Sequence, residues 1–143
     1  MAQRKHQPPE TALQANYGFA ALDDYDMRMY VLPTLLDPAG RQSIIAEHRA
    51  LPVYAGTQPG ASAPMYSDVL KKLIDKLRTS PQAGKHTIVE ITPWEEYAIG
   101  VLPGRRGGRV QITDETYPTR NEAEHAIFLK RLAAFLALYG IEI

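Results

Sequence analysis

No cysteine occurs in the 143 residues, so disulfide staples, thiolate catalysis and Cys-ligated zinc are excluded from this chain. Net charge is missing as well. Sixteen basic residues balance sixteen acidic ones, which removes the long-range field expected of a general nucleic-acid or membrane-surface binder. No run approaches the roughly 18 apolar residues of a membrane span. The polar first ten residues have no apolar stretch behind them, so a cytoplasmic protein with no membrane association is the expectation. There is no Gly-Lys-Ser/Thr ending of a phosphate-binding Walker loop, no Gly-x-Ser-x-Gly nucleophile elbow and no internal repeat.

What is present fits an α+β fold: N-terminal helices followed by an α-β-β-β-α unit with a small antiparallel sheet. Residues 1–15 are polar and proline-bearing and read as an N-terminal arm, leaving 16–143 as a single domain. A helix is predicted near 20–32, where Leu22, Tyr25, Met29, Tyr30 and Leu32 recur at helical spacing, with Pro33 as its stop. Asp37-Pro38 is a cap followed by a first-turn proline, opening a second helix that carries Ile44, Ile45 and His48 and closes before Pro52. The stretch 52–64 is rich in Gly, Pro, Ser and Ala and reads as a loop. Ser62 is the expected cap of the next helix, with Pro64 in its first turn. Met65, Tyr66, Val69, Leu70, Leu73, Ile74 and Leu77 form its apolar stripe.

β-Branched content predicts strands over 86–91, 97–102 and 110–113. Thr92-Pro93-Trp94-Glu95 reads as a single helical turn between the first two. Pro103-Gly104 through Arg109 is turn chemistry before the third. Thr119 and Glu122 then make a capping box, and Gly140 supplies a left-handed C-terminal residue, bounding a long helix. In that helix His125, Phe128, Leu129 and Leu132 share a face, while the segment 132–139 has no charged residue on any side. A helix that apolar is expected to be covered partly by another subunit, together with the aromatic N-terminal region.

The residues that could carry chemistry are few. Glu122 and His125 have the Glu-x-x-His spacing of a metal-bearing helix, but no second such pair exists, and a partly exposed or interface histidine is the plainer reading. Glu47 and His48 are sequence neighbours and point apart on a helix. Gly104-Arg105-Arg106-Gly107-Gly108-Arg109 could cradle a phosphate or meet acidic groups on another protein. A solvated hairpin turn explains it at least as well. No catalytic, cofactor-binding or metal residue is therefore assigned. The αβββα order also matches double-stranded-RNA-binding modules, yet here the last helix begins with Glu122 and Glu124, which repel phosphate. A nucleic-acid module or a self-associating adaptor remain the alternatives.

With these residues in view the chain resembles the small (light) subunit of N,N-dimethylformamidase. The resemblance runs from about residue 45 to 132: Ile45-Ala46-Glu47-His48, then the helix with Tyr66, Val69 and Arg78, then Gly84-Lys85, and Trp94 with Tyr97 and Ile99. Most specific is the run Thr119-Arg120-Asn121-Glu122-Ala123-Glu124-His125-Ala126-Ile127-Phe128-Leu129-Lys130-Arg131. The 52–64 stretch, the basic turn and the first forty residues depart from the family, leaving open which small amide or formamide is the substrate. The resemblance implies a hetero-oligomeric amidohydrolase. Its large catalytic partner subunit carries an iron centre held by tyrosines and a carboxylate, and the small subunit holds no cofactor and stabilises it.

Overall fold

The computed structural model describes residues 19–52, 65–79 and 84–143, with no side-chain description for 19–21. The predicted arm at 1–15 and the positions Ser62 and Pro64 lie outside the described residues. Helix α1 (Phe19–Asp26) passes through a π-turn (Met27–Val31) into α2 (Leu32–Leu36). Pro33 therefore does not stop the helix, contrary to expectation. In a regular helix its ring would strike the carbonyl four residues back, and it has no N–H to donate. The π-turn just ahead widens the ladder, and the Leu32 N–H bonds the Met27 carbonyl five residues back.

Asp37 leaves helical geometry and its carboxylate accepts from the Gly40 N–H at 3.1 Å, opening α3 (Pro38–Ala50) as expected. Gly40 is required by contact: a Cβ there would lie 2.5 Å from the Thr34 carbonyl oxygen. Helix α4 (Asp68–Arg78) begins later than the sequence suggests. Its cap is Ser67, which accepts from the Leu70 N–H, so Met65 and Tyr66 precede the helix. Glu47 of α3 accepts from both the Ser67 N–H and its hydroxyl at 2.7 Å, tying the start of α4 to α3.

Strands β1 (His86–Thr92), β2 (Glu96–Val101) and β3 (Gln111–Tyr117) form an antiparallel sheet in that order. Residues 92–95 are not a helical turn. The Glu95 N–H bonds the Thr92 carbonyl at 3.0 Å and Trp94 sits at φ 68°, which with Pro93 ahead of it makes a type II hairpin turn. Register places Ile88 opposite Ile99 and Tyr97 opposite Tyr117. The β2–β3 pairing slips near its middle, where the Thr113 hydroxyl donates to the Ile99 carbonyl at 2.7 Å and accepts from the Glu115 N–H. That hydroxyl replaces the lost ladder bonds. β3 thus runs to Tyr117, four residues past the predicted end.

Helix α5 (Arg120–Ala137) starts at the Thr119 cap, which accepts from the Glu122 N–H at 3.2 Å. It closes in a Schellman motif. The Ile141 N–H reaches the Leu136 carbonyl and the Gly140 N–H the Ala137 carbonyl, with Gly140 at φ 76°. The first half of α5 lays Ala123, Ala126 and Ile127 on Tyr97 and Ile99 of the sheet. Its second half sends Phe128, Leu132, Phe135 and Leu136 into a larger core with Val31, Leu35, Leu70, Leu73 and Leu77.

This arrangement corrects the expectation of a foreign cover only for the inward side of the apolar end of α5, since Leu138 on its outward side stays 79% exposed. Leu132 and Leu136 have no exposure and Phe135 has 4%. Tyr139 is half-buried, its hydroxyl donating to Asp24 at 2.8 Å and its ring facing the Arg28 guanidinium at 4.8 Å. The π-turn, α2 and α4 supply the missing cover. Large apolar side chains also face outward in the sheet layer: Trp94 at 83% and Ile112 at 53% exposed.

Candidate functional site

Helix α3 points Ile44 and His48, one turn apart, at α5, and α5 answers with His125, Phe128 and Leu132. The two histidines, 77 residues apart in sequence, meet Nδ1 to Nδ1 at 2.9 Å. Both are buried, His125 at 5% exposure rather than at a partly exposed or interface position. His48 also lies flat on Phe128, ring centroids 3.9 Å apart and planes 10° off parallel. Neither Glu47 nor Glu122 joins them: Glu47 caps α4 through Ser67, and Glu122 is exposed.

Two Nδ1 atoms at hydrogen-bond distance need one donor and one acceptor, so the pair holds a single proton between the rings. Two imidazolium ions would set like charges and two donors head to head. Burial, and then the charge of His125, push the His48 pKa down to about 4. Burial and the nearby Arg49 cation likewise lower that of His125. The pair is neutral at pH 7. His125 Nε2 is buried and has no hydrogen-bond partner among the described residues.

His125 borders a cleft of about 320 Å³ shared with Arg49, Tyr117, Asn121 and Leu129. His48 borders a smaller hollow of about 110 Å³ beside Arg78, Glu124 and Arg131. Chemically the couple can exchange one proton by switching tautomers. It lacks the rest of a catalytic set: among the described residues no hydroxyl hydrogen-bonds to either ring as nucleophile, and no carboxylate orients one. Its evident work is to fasten α3 to α5.

Other sequence candidates stay apart. Gly104 and Gly107 take left-handed conformations, at φ 75° and 77°, in an exposed turn where Arg105, Arg106 and Arg109 face solvent. Among the described residues no three His, Asp or Glu side chains gather as a metal set. Tyr117 and Glu115 are hydrogen-bonded to each other, and that bond, ahead of burial, raises the Tyr117 pKa to about 12.

A family model described as N,N-dimethylformamidase alpha subunit matches residues 31–142. The chain belongs to this family. The match takes in α2 through α5, including both histidines and the whole sheet. An N,N-dimethylformamidase alpha subunit from Alcaligenes sp is 31% identical over 90 residues, covering 62% of this chain and 61% of the relative. One from Paracoccus aminophilus is 32% identical over 90 residues, covering 62% of this chain and 57% of the relative. In both cases the match spans less than two thirds of the relative's length. Among the described residues no helix is long and apolar enough to cross a membrane.

The histidine pair is the feature that sequence reasoning missed. Its signal was present, since both residues sit on apolar helical stripes, which points to burial and away from solvent.

Proposed function

We propose that this chain is a non-catalytic subunit of a hetero-oligomeric amidohydrolase. That enzyme hydrolyses a small amide or formamide to an acid and an amine, and this subunit stabilises a large, iron-bearing catalytic partner. The family match over residues 31–142 carries the reading. Two structural features support it. Among the described residues the buried histidine pair is neutral and has no nucleophile hydrogen-bonded to it, so that pair is not built as an acyl-transfer couple. Its exterior, by contrast, presents Leu22, Tyr25, Met29 and Tyr30 on the N-terminal helical layer and Ile91, Trp94 and Ile112 on the sheet. Exposed aromatic and aliphatic groups of this kind suit an interface core.

Addition of water to the amide carbonyl and loss of the amine then belong to the partner, where a bound metal supplies Lewis-acid polarisation. The test is purification of the tagged chain from its native cells, followed by assay of amine release from dimethylformamide. The complex is expected to be active and the isolated chain inert. Hydrolysis by the isolated chain after metal chelation would refute the assignment.

A further inference from the structure

We propose that the groove between the end of α4, the start of β1 and the last turns of α5 docks an acidic, apolar-tipped segment of the partner subunit. This inference rests on the subunit reading above and assigns the contact to one surface. The groove encloses about 340 Å³. Lys76, Lys85, Lys130, Arg131 and His86 line it, around an apolar floor of Ala134, Phe135 and Leu138. Four cations and no carboxylate on one wall stand out in a chain whose net charge is zero.

Two of the cations have local partners: Lys130 bridges to Glu115 at 2.8 Å, and Lys76 bridges to Asp23. The other two hydrogen-bond only to carbonyls, with Glu124 close enough to Arg131 to act on its charge but not bonded to it. Lys85 Nζ donates to the Arg78 carbonyl and Arg131 Nη2 to the His86 carbonyl, both at 2.9 Å. Among the described residues no carboxylate stands within salt-bridge distance of either. Arg131 Nε is buried and has no hydrogen-bond partner among the described residues. Burial, and then Arg131, lower the Lys85 pKa, as expected for cations crowded together.

Beside them Leu138 stands 79% exposed, one turn beyond Ala134 on the same side of α5. Such a surface is complementary to a segment that brings carboxylates to Lys85 and Arg131 and an aliphatic or aromatic side chain to Leu138. Desolvated on docking, those ion pairs would set the register, while the apolar floor supplies area.

The experiment uses the complex isolated through a tag on the full chain. Leu138 is replaced by photoreactive benzoylphenylalanine, and the cross-linked partner peptide is identified by mass spectrometry. A partner segment with carboxylates flanking an apolar residue is expected. In parallel, the double variant Lys85→Glu/Leu138→Asp should recover about tenfold less partner at low salt, a deficit that narrows in raised salt as the charges are screened, while Lys85→Arg recovers it normally. The cross-link needs no charge-reversed protein, so it decides even if the double variant folds poorly. Three results overturn the proposal while leaving the amidohydrolase reading intact: a cross-link into a segment without acidic residues, a cross-link abolished by nuclease, or full partner recovery by a folded double variant. Amide hydrolysis by the lone, metal-stripped chain overturns both.

Discussion

The two halves of α5 meet different surroundings. The second half is wrapped by the π-turn, α2 and α4, and Leu132 and Leu136 lose all contact with water. The first half rests on one face of a three-stranded sheet whose smaller core is built on Tyr97 and Ile99. Ile91, Trp94 and Ile112 of the sheet layer stay 45–83% exposed. One helix thus joins a closed core to a half-open one, with His48 and His125 at the seam. The lesson is that an apolar run does not by itself mark an interface. What matters is whether neighbouring elements close over it, and here they close over its inward side, Leu132, Phe135 and Leu136, while leaving Leu138 and parts of the sheet bare.

Truncation in the helical core should have the largest effect. Leu132→Ala should lower unfolding free energy by about 2–5 kcal/mol in urea melts, because the surrounding helices cannot collapse fully into the space. A loss well under that range would mean the helical core is not closed.

The seam responds to pH. His48 titrates near its ordinary 6.5 when unfolded and at about 4 when folded, so the unfolded chain binds the extra proton between those values. Stability is complete above about pH 6.5 and falls on acidification towards pH 4, by roughly 3 kcal/mol from His48 alone. His125 and His86, also lowered, act in the same direction. Urea melts at a series of pH values should show this slope in the wild type and a shallower one in His48→Phe.

Smaller effects sharpen the contrast from the sheet side. Thr119→Ala removes the cap of the half of α5 that lies on the sheet and should cost about 1 kcal/mol, read as a shift in the urea midpoint. Trp94→Gly should stabilise by about 0.5 kcal/mol: relief of the left-handed conformation, worth about 1–2 kcal/mol, is partly offset by the flexibility of glycine when unfolded. Ile112→Thr, on the sheet's exposed side, should change stability by no more than about 0.5 kcal/mol. If Ile112→Thr destabilised as much as Leu132→Ala, the distinction between the two regions would be void.

Much of the fold was legible because it is written in local chemistry. Asp37, Thr119 and Gly140 act on backbone groups a few residues away, so their caps could be read directly and were found in place. The αβββα order followed from alternation and turn residues for the same reason. Pro33 was misread because a proline ends a regular helix, whereas the preceding π-turn, packed through Met27 and Val31, absorbs its missing donor. Trp94 was misread because the hairpin, a pairing between strands, forces a left-handed residue that its own propensity would refuse.

By itself, then, the sequence determined the order of elements, most helix ends, the absence of thiol chemistry and the family likeness, since each depends on residue identity or on neighbours along the chain. Only the tertiary structure decided that His48 and His125 share a proton, that Leu132 and Leu136 are sealed, and that four cations line one groove. Those outcomes depend on which faces of distant elements come together. That choice is made by the packing of whole helices and strands, whose energies are summed over many weak contacts and are not carried by any one residue.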